Sequence, residues 1–274
     1  MPTDFELTIR PRKGWQAVDF TEAYLYRELF AFLVWRDVKI RYRQTLLGGL
    51  WAILQPFIAM LIFSFIFNRL AHVQSDGPPY KLFAYAGLAP WTFFSTSVTQ
   101  SSNSLLANHQ LVSKVYFPRI FIPLGAIGAL LLDLLLSLGL FFAMMLYYRW
   151  PATVALLWLP LFILVAVLAT AGTGLTLSAL NVSFRDVKYV VPFLVQMGLF
   201  VTPVIYPARY VPARWQVLLG LNPMAGVVIG FRHALLGTPA SWAVMGMSIG
   251  VSVALFVFGL LIFRRMENRF ADII

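Results

Sequence analysis

Cysteine is absent from all 274 residues, so neither a disulfide framework nor a thiolate metal site can form. Charge is scarce: 12% of residues are Asp, Glu, Lys or Arg, about half the share in an average soluble domain. Carboxylates are scarcest, with 11 Asp and Glu against 21 Lys and Arg. That disfavours an enzyme that needs paired acids to hold a metal. No Lys is followed by Ser or Thr, so the chain has no Walker A phosphate loop, and it has no HExxH. Hydrolysis of ATP by the phosphate-loop route is excluded. His72, His109 and His233 all fall outside the long apolar runs, and no zinc cluster is suggested.

What the chain has instead is apolar surface. Hydrophobic residues make up 60% of it, more than one globular domain of this length can hide. Uncharged runs occupy 44–68, 82–108, 120–148 (broken only by Asp133), 150–184, 189–208 and 234–263. Each is near or above the roughly 20 residues that carry a helix across a bilayer. A seventh run, 215–231, is shorter and contains Asn222 and Pro223. The expected fold is an all-α polytopic membrane protein with six transmembrane helices. Pro192, Pro203, Pro207, Pro212, Pro223 and Pro239 punctuate the region before the last span. Broken helices at membrane depth are tolerated only inside protein or beside a cavity. Residues 207–238 therefore read as a re-entrant outer gate segment, with a loosely structured outer loop as the alternative.

Net charge is +10, and its distribution points to membrane rather than nucleic acid. With six spans both termini share one side. That side holds residues 1–47 with eight Lys/Arg, 104–119 with two, 181–189 with two and 264–274 with three. The opposite loops hold Arg69, Lys81, Arg149, Arg209, Arg214 and Arg232. The positive-inside rule places both termini in the cytoplasm. The basic residues then meet anionic headgroups and partner proteins. The polar, basic first 45 residues do not have the pattern of a cleavable signal peptide.

Several stretches carry more specific expectations. Asp19 and Glu22 form a D-x-x-E capping box that starts a helix. On that helix Ala31, Val34, Trp35, Val38 and Tyr42 share one face, and Arg36, Lys39 and Arg43 the other. This is an amphipathic helix suited to the membrane interface, and Gly48-Gly49 lets the chain bend into the first span. In the second span, STSVTQSSNS at 95–104 is too polar to face hydrocarbon. Tyr85, Thr92, Thr96, Thr99 and Asn103 recur there at helical spacing. Their hydroxyls either bond their own i−4 carbonyls or a neighbouring helix, or line a wet path. Asp133 lies mid-span, as a structural pin or as an ion or proton site. Gly172, Thr173 and Gly174 permit close helix approach. Asn181 and Ser183 fit a glycosylation sequon, but on the cytoplasmic side. GMSIG at 246–250 matches both G-x-S-x-G and GxxxG, and with no intramembrane histidine it reads as chance or helix packing.

In order along the chain stand RDVKIRYRQTLLGGLWAILQP, GLAPWTFFSTSVTQSSNSLL and LVSKVYFPRIFIPL. Together these blocks resemble the permease subunit of ABC-2 type polysaccharide exporters, the O-antigen, teichoic acid and capsule export family. The likeness runs from about residue 20 to 265 and is strongest across 36–123. It implies an N-terminal interface region (1–45), a transmembrane domain (46–263) and a cytoplasmic tail (264–274) in a bacterial inner membrane. It implies a homodimer, two copies of a separate ATPase carrying ATP and Mg, and a polyprenyl-diphosphate-linked polysaccharide as cargo. No cofactor is implied in this chain itself. The segment with Leu105, Asn108, His109, Leu111, Val112, Lys114 and Tyr116 resembles the coupling helix that docks on the ATPase. Aromatic faces that stack on sugars, with hydroxyls beside them, make Trp51, Phe57, Tyr85, Trp91, Thr92, Phe93, Phe94, Thr96 and Thr99 the expected substrate path. Arg36, Lys39 and Arg43 are expected at the carrier-lipid headgroup. The alternatives are an ABC-2 drug or lipid exporter, a membrane-embedded glycolipid enzyme and a proton-coupled carrier.

Overall fold

A computed structural model describes residues 24–43, 48–75, 77–115, 117–184, 186–267 and 270. The capping box at Asp19–Glu22 and Tyr116 of the coupling segment lie outside the described residues. Among the described residues there is helix and no strand. The principal helices are α1 (Arg27–Arg43), α2 (Leu50–Phe63, continued by a π-helical Ser64–Leu70), α3 (Tyr80–Ala107), α4 (His109–Lys114) and α5 (Phe121–Tyr147). They continue as α6 (Leu159–Ser183, preceded by a 3-10 turn Val154–Trp158), α7 (Val187–Val201), α8 (Ala213–Leu221), α9 (Pro223–Leu236) and α10 (Trp242–Glu267).

Four segments are long and apolar enough to cross a membrane: Leu50–Leu70, Phe121–Tyr147, Val154–Ser183 and Trp242–Glu267. A fifth is possible if α8 and α9, bent by 99° at Asn222, count as one broken span. The expected six included the runs at 82–108 and 189–208. These form α3 and α7, but α7 has only 15 residues, and α3 is diluted by its serines and threonines. At 28 residues α3 reaches about 42 Å, so composition rather than length sets it apart.

The reason lies in where α3 sits. Leu82, Phe83, Ala84, Tyr85 and Ala86 are each 0% exposed. Helices α2, α5, α6, α7 and α9 all contact it, so it is the centre of the bundle. A helix screened by its neighbours tolerates hydroxyls that a lipid-facing one does not. Ser97, Ser101 and Ser102 are fully buried. Thr99, Ser102, Asn103 and Ser104 each bond a carbonyl one turn back at 2.7–2.9 Å. Asn181 of α6 donates to the Ser102 carbonyl at 2.8 Å. Backbone bonding and helix contact thus satisfy much of the hydroxyl-rich segment.

Helix α6 makes its most extensive contact with α10, and glycine permits it. A Cβ at Gly172 would stand 2.4 Å from the Leu255 carbonyl carbon, and one at Gly259 2.4 Å from the Gly172 oxygen. A Cβ at Gly174 would stand 2.6 Å from Ser101 Oγ on α3. The small residues at 172–174 do bring helices together, on two sides at once. Among the described residues nothing lies within 4 Å of a Cβ at Gly246 or Gly250, so that GxxxG plays no such part between them.

The ends of the bundle differ. At one end Leu33, Leu105, Val112, Phe117, Phe121, Val182, Phe263 and Phe270 form a second apolar cluster. Glu267 clasps the start of α5 there, accepting from the Arg119 backbone N–H at 3.1 Å. At the other end the Tyr80 hydroxyl donates to Ile205 O at 2.6 Å, and Trp150 Nε1 to Leu236 O at 3.2 Å. The first bond ties α3 to the segment after α7, and the second holds the end of α9. Asn222 caps α9 through Met224 N–H at 3.0 Å, Pro223 opens it, and Gly237 closes it with φ 69°. Proline inside the start and a left-handed glycine past the end are the usual bounds of a helix.

Candidate functional site

Helix α1 does not stand apart from the bundle. It runs along the first half of α5, and two glycines of α5 make room for it. Cβ atoms at Gly125 and Gly128 would meet Leu33 at 3.5 Å and Val34 at 3.0 Å. Leu33 and Val38 are buried, whereas Ala31 and Trp35 are exposed. The packed stripe is therefore rotated from the one expected. At the far end of α1, Arg41 pairs with Asp133 at 2.8 Å, and the Tyr42 hydroxyl donates to the same carboxylate. Asp133 is only 8% exposed. Burial first, then the bond to Asp133 and its charge, raise the Tyr42 phenol above its ordinary value. It stays a donor through neutral pH. The stability from that bond is complete below the ordinary tyrosine pKa of about 10 and is lost only as pH rises through the higher folded-state value.

Asp133 is thus a pin between α1 and α5, supported by two partners. A buried charge left without its partner costs about 3–5 kcal/mol, more than the intact pair contributes. Arg41→Leu and Asp133→Leu are each expected to lower stability. The double variant is expected to recover part of the loss, with a coupling of about 1–3 kcal/mol in a double-mutant cycle of thermal melts. Strictly additive losses would remove the pin.

Beside the pair, Arg41, Gln55, Thr92, Phe93, Thr96, Asp133 and Ser137 line a small cleft among α1, α2, α3 and α5. Of the expected path residues it gathers Thr92, Phe93 and Thr96. Tyr85 is elsewhere, fully buried and stacked on Phe141 with ring centroids 6.3 Å apart. Trp91 is buried and touches the Phe94 ring at 5.6 Å. Trp51 is exposed on α2, and Phe57, Phe94 and Thr99 are half-buried. Within one chain these residues do not form a single continuous surface.

Of the three cations expected at a lipid headgroup, Arg36 bonds Asp37 at 2.7 Å. Lys39 lies 5.7 Å from the Trp35 ring centre, and Arg43 is exposed. The cation that packing selects on α1 is instead Arg41. It lies seven residues after Val34, on the packed face, and that register was the signal.

Helix α4 presents two faces. Its Val112 is buried in the second cluster, beside Leu105 from the last turn of α3. His109, Gln110, Ser113 and Lys114 are exposed, while Asn108 and Leu111 are half-buried. Asn108 Nδ2 donates to the Ser104 carbonyl at 2.8 Å where α3 stops.

Arg232, expected in an outer loop, is instead 3% exposed inside the bundle. It donates to the carbonyls of Pro203 at 2.6 Å, Phe83 at 3.2 Å and Tyr206 at 3.4 Å. Its guanidinium carbon lies 3.5 Å from the Phe83 ring centre. The physical reason is the chain break after α7, where Pro203 and Pro207 leave carbonyls without helical donors. Ser248 serves the bent pair similarly. Its oxygen accepts from Gly226 N–H at 3.1 Å and lies 2.9 Å from the Asn222 carbonyl. No histidine is among its partners, so the G-x-S-x-G match is structural. Among the described residues no three His, Asp or Glu side chains gather as a metal site.

Apolar helices of spanning length with exposed aliphatic faces define a multi-pass membrane protein. The chain belongs to the ABC-2 type transporter family, which it matches over residues 28–236. It is 33% identical to an O-antigen export system permease protein, RfbA, of Myxococcus xanthus, over 92% of this chain and 97% of that one. It is 30% identical to an RfbA of Klebsiella pneumoniae over 92% and 96%. It is 28% identical to the polysialic acid transport protein KpsM of Escherichia coli over 85% and 91%.

Proposed function

We propose that this chain is the permease subunit of an ATP-driven exporter that moves an O-antigen-like polysaccharide, linked to polyprenyl diphosphate, across the bacterial inner membrane. The observation that carries the reading is its likeness to an O-antigen export permease along 92% of its own length. The chain is a transport subunit without an ATPase motif, so nucleotide energy comes from a partner. Two copies of the chain form the path, and two copies of an ATPase bind ATP and Mg beneath them. Helices α2, α3, α5, α6, α7 and α10 cross the bilayer, α8 and α9 re-enter from the outer side, and both termini are cytoplasmic.

Helix α4 is the docking element. Leu105 and Val112 anchor it, and His109, Leu111 and Lys114, with Asn108 and Tyr116, meet the ATPase. Helix α1 offers Arg36, Lys39 and Arg43 to the carrier diphosphate, while Arg41 ties the helix to α5. Nucleotide-driven movement of α1 then reaches α5 through Asp133 and α2 through the turn at Gly48-Gly49. Sugars pass over exposed or half-buried aromatics and hydroxyls such as Trp51, Phe94, Thr92, Thr96 and Thr99.

The test replaces Arg36, Lys39 and Arg43 with Gln in a strain that depends on this chain for surface polysaccharide. Surface polysaccharide is expected to fall about tenfold, while the ATPase still copurifies. Undiminished export in that variant overturns the headgroup role. Uphill movement of glycan by the chain alone in liposomes overturns the permease reading.

A further inference from the structure

At the end of the bundle away from α4, a crevice opens between α2 and α5. The two helices are pinned lower down, where Ser137 Oγ donates to the Ala52 carbonyl at 2.9 Å. Past that pin they leave a cavity of about 290 Å³. Its walls are apolar: Phe57, Met60 and Leu61 from α2, and Leu140, Ala143 and Met144 from α5. Its rim is not. Lys81, from the first turn of α3, stands there with Tyr147 and Tyr148. Lys81 is exposed, and it makes no hydrogen bond or ion pair with any of the described residues. The two tyrosine rings meet edge to face at 5.1 Å, and Tyr147 is 80% exposed. Amphipathic rings of this kind mark the headgroup level of a bilayer.

We propose that this crevice holds one anionic membrane lipid, its phosphate on Lys81 and one acyl chain between α2 and α5. The inference rests on the membrane-spanning reading and goes beyond the export function. The apolar walls exclude a free phosphate as occupant, because only the rim carries a cation. Within a bilayer the walls cannot select a lipid, since neighbouring tails are as apolar as the groove. Selection therefore falls to the head. One lysine at the membrane surface favours an anionic over a zwitterionic headgroup by about fivefold.

The absence of cysteine makes the test direct, because a single introduced thiol takes a fluorescent label at one place. The chain carrying Ala143→Cys, labelled with bimane, is reconstituted with its ATPase in phosphatidylcholine vesicles. A minor fraction of the lipid is either brominated phosphatidylglycerol or brominated phosphatidylcholine. Bromine quenches the label only in contact. Quenching by the phosphatidylglycerol is expected to exceed that by the phosphatidylcholine about fivefold. Lys81→Gln is expected to bring the ratio to about one, Lys81→Arg to keep it, and raised salt to lower it in the unsubstituted chain. A label at Leu164→Cys, on the exposed face of α6, is expected to show no preference.

A ratio near one in the unsubstituted chain overturns the site, and so does a ratio that survives Lys81→Gln. Quenching at 164 with none at 143 means that a second copy of the chain covers the crevice, and also overturns it. No quenching at either position overturns the membrane reading instead.

Discussion

Replacing Arg232 with methionine is expected to lower the thermal midpoint of the purified chain by about 10 °C, a loss of roughly 4 kcal/mol for a domain of this size. The side chain is buried, and it donates to the carbonyls of Phe83, Pro203, Val204 and Tyr206. Hydrogen bonds from a charged donor contribute about 1.5–3 kcal/mol each, and orphaned buried carbonyls add their own desolvation cost. Methionine fills similar space and supplies no donor. Lysine keeps the charge but not the planar fork that reaches several acceptors together, so Arg232→Lys is expected to recover less than half. Gly87 lies at the same place: a Cβ there would stand 2.8 Å from the Arg232 guanidinium. The measurement is thermal unfolding in detergent. A methionine variant melting within about 2 °C of the parent refutes the clamp.

The second large effect is at the crossing of α6 and α10. Gly172→Ala is expected to cost about 3 kcal/mol, the upper part of the usual range for an overpacked core. The added methyl would meet backbone atoms of Leu255 and Phe256 at 2.4–2.5 Å. Backbone cannot rotate aside as a side chain can, so the helices must separate. Gly246→Ala and Gly250→Ala are the controls. Both positions are open, and alanine is the better helix former by about 1 kcal/mol. They are expected to be neutral or slightly stabilising in the same melts. Equal losses at all three positions would mean that the crossing is not what the glycine protects.

That contrast shows what sequence pattern can and cannot resolve. Gly172 and Gly246 both sit in small-residue motifs within apolar helices. Nothing local distinguishes a glycine under another backbone from one in the open. Asp133 gives the same lesson for the site. Its isolation among leucines marked it as structural or functional, and the apolar period of α1 marked a helix with a face to bury. The link between them runs across 92 residues, from Arg41 to Asp133, and only packing supplies it. The basic residue that matters most for holding α1 was the one sharing a face with Val34, rather than those on the opposite face. A loop is the expected place for Arg232, because charges in membrane proteins usually lie outside the spans. It is inside because the proline-broken backbone after α7 needs a donor more than the bilayer resists an arginine.

The amino-acid order alone determined the class. Long uncharged runs can be stable only in lipid, and in lipid a chain satisfies its backbone within helices. It also determined the family, through blocks between residues 36 and 123, and it contains no Walker A phosphate loop. Tertiary packing decided which helix is central. Helix α3 is too polar for hydrocarbon and is buried by its neighbours, a choice invisible to a hydropathy window. Packing likewise decided which face of α1 is bound, which glycines are crowded, and where Lys81 meets an apolar crevice. Each of these depends on the distance between residues far apart in the chain, which periodicity along one helix does not encode.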